Sequence, residues 1–425
     1  MAALASGVAG LAQAPQGRRR ARIAMVGTGW RGSLTWGKEL AENYSDVAEI
    51  VGLCDINGKR AEASRKIIGS SAPTFVDFDR MLEQTRPDCV LVTTVDSTHY
   101  RYVVRALELN CDVICEKPLC TDESQAQAIL DAAARSKKKI TIGFNARHDP
   151  MDKRVKQLMM EKAVGDVLSV EFNEYLDTDH GASYFRRWHR LKQNSGTLLV
   201  HKASHHFDQV DWWIDSAPVE VTASGELRFY GRNNAFRGTH CRACPFKNQC
   251  KFYWDITRDE RAMRLYADCE SEDGYLRDGC VWAEEINIYD SMSVLVKYEN
   301  GARLTWTGHA YLPLEGQAIS INGTQGRIDY ATFSGGGIER RELRLTRSFG
   351  KSEVIEDLEP ELAGGHGGAD TSLMNSIFRE TDKPDPLGLR ADLRGGVLAS
   401  LTGIAAYRSI ERGGEKIRIA ELVKI

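Results

Sequence analysis

An α/β architecture in two parts, a doubly wound parallel sheet followed by an α+β domain with a large open, mainly antiparallel sheet, follows from three observations. Up to residue 146, short apolar strand-like runs alternate with helix-period segments, the pattern of a parallel sheet buried between helical layers. A glycine-rich turn, Gly27-Thr28-Gly29-Trp30-Arg31-Gly32, joins the first of these runs to the first helix. Beyond residue 150 the pattern changes to strand candidates with hairpin signals between them.

A chain of 425 residues exceeds one ordinary domain, and two are expected, 21–146 and 147–425. Its 56 basic and 59 acidic residues leave a net charge of −3, which gives no reason to expect nucleic acid or an anionic membrane as partner. No apolar run approaches bilayer-spanning length. Residues 1–20 stand apart. "MAALASGVAGLAQAPQG" is small and apolar, ends near an Ala-x-Ala-like "AQA" and gives way to "RRRAR". It reads either as an export signal lacking its basic start, with a periplasmic destination, or as an unstructured leader on a cytoplasmic protein.

The first strand, Ile23 to Val26, feeds the glycine turn, and "SLTWGKELAEN" continues as a helix. Gly27 permits the tight turn, Gly29 lets backbone approach a pyrophosphate, and the helix start offers unpaired N–H groups to its charge. The second strand, "AEIVGLCD", ends on Asp55. A carboxylate there binds both ribose hydroxyls and repels a 2′-phosphate, favouring NAD over NADP, with Arg60 nearby as the opposing feature. Strands "CVLVTT" (89–94), "DVICEKP" (112–118) and "KITIGFN" (139–145) follow, separated by helical "YVVRALELN" and "ESQAQAILDAAARSK". Lys117 falls at the carboxyl end of its strand, where open α/β sheets bind ligands. Desolvation lowers a lysine's pKa there, and an ammonium beside a hydroxyl or carbonyl oxygen supports developing negative charge.

After a helix at 151–163, strands are expected in "VLSVEFNEYL", "VEVTASGELRFYG", "MSVLVKYENGARLTWTGHA", "AISINGTQGRIDYA" and "RELRLTR". "YENGAR" marks a hairpin, with Asn-Gly supplying positive φ at both turn positions. In "SGTLLVHKASHHFD" and its continuation, Leu199, Ala203, Phe207, Val210 and Ile214 form one apolar helical stripe. His201, His205, Asp208 and Trp212 fall opposite it. His201 and His205 have the spacing of a metal pair but lack further ligands, which leaves a proton relay or a polar face as the other readings. Upstream, "SYFRRWHR" interleaves Tyr184, Arg187, Trp188 and His189, either a wall that packs on sugar rings and reaches their hydroxyls or a loop anchored by Trp188 in the core. "GGHGGAD" (364–370) is a loop centred on His366 at the border of the substrate region. Helices at 370–380 and 391–411 are expected to pack back on the first domain.

"VGTGWRG", Asp55, "TTVDSTHYRYVVRAL", "CEKPL" and "GFNARHDP" together resemble the glucose–fructose oxidoreductase/inositol dehydrogenase (Gfo/Idh/MocA) family, in order over the whole first domain. The histidine helix is similar to that family's G-G-G-x-L-x-D-x-G-x-H-x-x-D element. Two departures stand out: Thr94-Val95-Asp96 replaces Thr-Pro-Asn, and His201 and Ala203 replace the element's first aspartate and its following glycine. The resemblance implies an NAD site built from Gly27, Thr28, Gly29, Trp30, Arg31, Gly32, Asp55, Arg60, Thr94, His99, Glu116, Lys117 and Asn145. It also implies catalysis by Lys117 and His205, the histidine accepting a hydroxyl proton. Arg147, Tyr184, Arg187, Trp188, His189, His201 and His366 are the expected substrate contacts, and a homodimer or homotetramer is implied.

Cys241-x2-Cys244-x5-Cys250 lies in an insertion, 238–282, with Cys269 and Cys280 following. The spacing predicts structural zinc with Cys280 as fourth ligand; an iron–sulfur cluster or two disulfides are the rival readings. The expected activity is NAD-dependent oxidation of a secondary hydroxyl on a sugar, glycoside or cyclic polyol. The alternatives are redox-neutral glycoside cleavage with tightly bound NAD and a sugar-binding protein without catalysis.

Overall fold

The computed structural model describes residues 19–355, 358, 362–363 and 365–424; the leader before Arg19 and Gly364 of the glycine-rich loop lie outside them. Six parallel strands, β1 (Ala21–Val26), β2 (Ala48–Cys54), β3 (Thr74–Phe75), β4 (Cys89–Val92), β5 (Asp112–Cys115) and β6 (Ile140–Ile142), stand in the order β3-β2-β1-β4-β5-β6. The order reverses between β1 and β4, so the crevice at their carboxyl ends lies beside the glycine turn. All four residues of β4 are buried, as a strand covered on both faces requires. The helices between strands start where an acid or amide caps them: Asn57 accepts from Arg60 N–H, Asp77 from Arg80 N–H and Asp122 from Gln125 N–H. The two-residue strand β3 is too short to show in the sequence pattern.

The second sheet has nine strands: β7 (Val167–Asp177), β8 (Pro218–Glu226), β9 (Ser291–Tyr298), β10 (Arg303–Leu312), β11 (Glu315–Gly323), β12 (Gly326–Gly335), β13 (Ile338–Arg347), β14 (Ser352–Ile355) and β15 (Ile417–Arg418). They stand in the order β14-β13-β12-β11-β7-β10-β9-β8-β15, and only β7 and β10 pair in parallel. Strand β9 alternates intermediate or exposed with buried positions along its length, the signature of a sheet with one face packed and one open. The β9–β10 hairpin forms at Glu299-Asn300-Gly301, but only Gly301 takes positive φ, because the turn holds three residues and Asn300 Oδ1 instead accepts the Ala302 N–H.

Two C-terminal helices tie the halves together. Leu373, Met374 and Phe378, on the helix Ala369–Phe378, pack with Ile23, Trp36, Leu40 and Tyr44 of the first domain. The longer helix, Leu393–Glu411, is almost wholly buried and packs against β8 and the helix Ala203–Ile214. The chain entering it crosses to the first sheet, where Ile142 N–H donates to Ala391 carbonyl at 3.0 Å. Among the described residues no helix is long and apolar enough to cross a membrane.

Candidate active site

The glycine turn leaves β1 with Gly27 at φ +91°, where a Cβ would lie 2.6 Å from the backbone of Thr93 and Thr94. A Cβ on Gly32 would come within 2.2 Å of the Gly27 carbonyl. The backbone there is thus shaped for close approach, and wide, π-type winding over Arg31–Gly37 opens the following helix. At the end of β2, Asp55 Oδ2 accepts from Thr28 N–H at 2.8 Å, and its Oδ1 from Asn57 N–H at 3.0 Å. Arg60 donates to Asp55 at 3.2 Å and to Asp273 at 2.7 Å. Its charge is therefore already matched by two carboxylates and is not free to hold a 2′-phosphate, which resolves the Asp55–Arg60 conflict in favour of NAD. Turn, helix start and ribose-end acid together fit a dinucleotide.

One partner at this corner is unexpected. The cysteine-rich insertion reaches back over the turn: Tyr266 hydroxyl accepts from Trp30 N–H at 2.8 Å, and Leu265 carbonyl from Arg60 Nε at 3.0 Å. Asn57 donates to Cys269 carbonyl at 2.9 Å, so that cysteine belongs to the docking contact.

Further along the crevice, Arg31 bridges Glu116 at 2.6 Å and Asp370 at 3.0 Å, and Trp36 Nε1 donates to Glu116 at 2.7 Å. Asn145 Nδ2 donates to Asp370 at 2.8 Å, and His366 Nδ1 lies 2.7 Å from its other oxygen. His366 and Arg31 hold the Asp370 carboxyl well below the usual range despite its burial. Asp370, absent from the sequence expectations, is thus the hub between the first domain and the glycine-rich loop.

Lys117 Nζ donates to the carbonyl of His201 at 2.7 Å, joining the carboxyl end of β5 to the histidine helix. Burial pulls its pKa down to about 8, with Asp96 and Glu116 acting the other way. The helix breaks at Lys202 into Leu198–His201 and Ala203–Ile214, which sets His201 apart from the turn that carries His205. His201 Nδ1 lies 2.6 Å from Asp96 Oδ2, both side chains nearly inaccessible. Burial lowers His201 and raises Asp96, so the two share one proton and stay neutral together. Both are among the positions at which the sequence departs from the pattern it resembles. The carboxylate missing from the helix is supplied from the loop after β4.

His205 is a neutral imidazole, its pKa pushed well down by burial and then by Lys117; its Nδ1 has no protein partner. Its neighbour His206 accepts from Trp306 Nε1 at 3.1 Å and faces Glu174, which Lys202 holds at 3.0 Å. Tyr184 packs edge-on against His201 and His189 at 5.3 and 5.4 Å. Trp188 stacks on His189 at 3.6 Å, and His189 meets His201 at 4.1 Å. The segment "SYFRRWHR" therefore forms a wall beside Lys117.

Several expectations need correction. His99 is buried with its ring nitrogens on the carbonyls of Pro118 and Thr94, at 2.7 and 3.1 Å, so it shapes the loop and does not face the crevice. Arg147 grips Asp208 through two bonds at 2.8 and 2.6 Å and donates to Gly388 carbonyl, a buried pair whose role is structural. Asp208 and Trp212 accordingly face packed protein, Trp212 Nε1 meeting Leu387 carbonyl at 2.5 Å. Cys241, Cys244, Cys250 and Cys280 do line one small cavity, but as free thiols. Among the described residues no three His, Cys, Asp or Glu side chains converge as metal ligands, and Arg186 donates to Cys241 Sγ at 3.0 Å, placing a cation beside the sulfur. The expected zinc centre is not assembled.

Residues 21–144 match a family model described as the oxidoreductase family, NAD-binding Rossmann fold, and residues 156–419 match its C-terminal alpha/beta domain. YteT of Bacillus subtilis (strain 168), named provisionally as an oxidoreductase, is 35% identical over 395 residues, covering 88% of this chain and 92% of its own. Inositol 2-dehydrogenase of Rubrobacter xylanophilus is 26% identical over 215 residues, 48% of this chain and 56% of its own. Among solved structures, an inositol dehydrogenase homolog of Azotobacter vinelandii complexed with NAD+ superposes with a TM-score of 0.66 at 16% identity, covering 96% of this chain and 100% of the other.

Proposed function

The chain belongs to the Gfo/Idh/MocA family of NAD-binding oxidoreductases, and we propose that it oxidises a secondary hydroxyl of a sugar or cyclic polyol, or reduces the corresponding ketone. The observation that carries this reading is Lys117: a half-buried ammonium of lowered pKa just past the carboxyl end of β5, bonded to the histidine helix and bordered by Asp96 and His205. A bound nicotinamide supplies the hydride acceptor. Gly27 to Gly32 and Asp55 hold the dinucleotide's phosphate and ribose ends.

Lys117 donates to the reacting oxygen and stabilises the negative charge that grows on it as the C–H bond breaks. His205, kept neutral by burial, accepts the hydroxyl proton. The Asp96–His201 pair carries no net charge in either proton arrangement, so it orients hydroxyls without opposing Lys117. Tyr184, Trp188 and His189 supply aromatic faces to the ring and exclude water from it.

Inositol 2-dehydrogenases are among the relatives, which favours the dehydrogenase reading over glycoside cleavage. The reading is tested by following reduced nicotinamide while the protein is offered cyclic polyols, aldoses and their oxidised forms with added NAD. Formation of reduced nicotinamide with a hydroxylated ring is expected; none across the whole panel overturns it.

A further inference from the structure

Most arginines drawn in from solvent elsewhere in this molecule come with acids, although buried Arg186 is held by the Cys241 sulfur and the Phe252 carbonyl instead. Arg31 holds Glu116 and Asp370, Arg60 holds Asp55 and Asp273, Arg147 holds Asp208, and Arg242 holds Asp278 and Glu270. Two half-buried arginines near Lys117 also come without an acid. Arg187 lies over the Tyr184 ring, 5.3 Å from its centroid, and spends its Nε on Ser183 carbonyl at 2.8 Å. Arg277, from the cysteine-rich insertion, lies 4.9 Å over the Tyr266 ring, and its Nε is buried without a partner. Tyr275, whose ring packs on Tyr266 at 5.8 Å, likewise has a buried hydroxyl with no partner. Among the described residues neither arginine has a carboxylate within ion-pair distance. The two sit close enough that Arg277 is, after burial, the main reason the Arg187 pKa falls to about 10.

A site that brings two like charges together and leaves their donors idle is incomplete without an anion. Asp96 is committed to His201 at 2.6 Å, and Glu116 is committed to Arg31. We infer that Arg187 and Arg277, with the Tyr275 hydroxyl, form the binding site for an anionic group on the substrate, which makes the substrate a sugar acid or a sugar phosphate and not a neutral polyol. This deepens the reading above and rests on it for the reaction. Planar guanidiniums match either anion through paired hydrogen bonds, and the Tyr184 and Trp188 rings beside Arg187 receive the sugar ring.

The test uses the full-length protein with NADH bound, and matched ligands: glucuronate and galacturonate, glucose 6-phosphate, and neutral glucose and galactose. Equilibrium binding is measured first, so the result does not depend on turnover. At least one anionic sugar is expected to bind roughly 10- to 100-fold more tightly than its neutral counterpart, the range for hydrogen bonds to a charged group. Whether carboxylate or phosphate gains tells the two anions apart. Arg277→Gln and Arg187→Lys are expected to remove most of that preference while NADH affinity holds. Equal binding of charged and neutral sugars overturns the inference, as does a preference that survives both substitutions. A loss confined to NADH affinity also overturns it, by assigning the pair to the cofactor pyrophosphate. If anionic sugars bind selectively but none is oxidised or reduced, the reaction reading fails while the anion site stands.

Discussion

The ribose end of the crevice and its substrate end are built on opposite electrostatic plans. Around Asp55, each charge is answered within the protein: Asp55 by Thr28, Asn57 and Arg60, and Arg60 in turn by Asp273. Around Lys117, donors are left over: Arg187 and Arg277 lack acids, and His189 Nδ1, His205 Nδ1 and Tyr275 hydroxyl lack partners. A corner whose charges are all paired is rigid before its ligand arrives, and it selects by shape and by repelling an extra phosphate. Leftover charge and unmade hydrogen bonds are affordable only where a ligand completes them. The difference locates the substrate more sharply than any motif does.

The contrast can be broken most forcefully through a matched arginine. Arg147→Ala leaves Asp208 buried and unpaired, which is expected to cost about 3–5 kcal/mol of stability, read as a large fall in the thermal midpoint. Arg277→Gln, removing an unmatched charge, is expected to leave the midpoint unchanged or raise it. Equal losses from both would erase the distinction. A smaller effect is expected at the shared-proton pair. Asp96→Ala strips His201 of its partner and should lower turnover by roughly 10- to 100-fold while the fold, followed by thermal unfolding, persists.

The mildest perturbation is pH. Burial holds Lys117 near a pKa of about 8, so the ammonium is present below that pH and lost above it. Turnover should therefore decline on the alkaline side, approaching roughly tenfold per pH unit. The unfolded chain binds this proton more tightly than the folded one, so Lys117 makes stability rise with pH from about 8 up to the ordinary lysine range. A pH–rate profile flat through that region would mean the ammonium is not used.

The cofactor half was readable in the sequence because its signals are local. The apolar run Ile23 to Val26, the glycines and Asp55 occur in one βαβ stretch whose order dictates its geometry. Lys117 was legible for the same reason, standing at a strand end. The substrate half depends on contacts between distant segments, and there the reading faltered. Arg147 looked available until Asp208, 61 residues on, claimed it. Asp96 and His201 were visible separately as departures from a pattern; their union across 105 residues was not. Arg277 carried no signal, because an arginine in a cysteine-rich insertion gives no hint that its loop folds back over Tyr266 and the glycine turn. The cysteine spacing misled in the opposite way. Four thiols do line one cavity, but spacing along the chain says nothing of an arginine placed beside one of the sulfurs.

The central claim is that Lys117 acts on a secondary carbinol whose hydrogen leaves as hydride, and isotopic labelling tests it directly. A substrate found by the reduced-nicotinamide assay, deuterated at the carbon to be oxidised, is incubated with NAD and the unmodified protein or Lys117→Ala, and label on the nicotinamide ring is read by NMR. The account predicts transfer of deuterium by the unmodified protein and a fall of roughly 10²- to 10⁴-fold in Lys117→Ala, with NAD affinity retained. Label transfer at the unmodified rate in Lys117→Ala, or turnover without label reaching the ring, contradicts it.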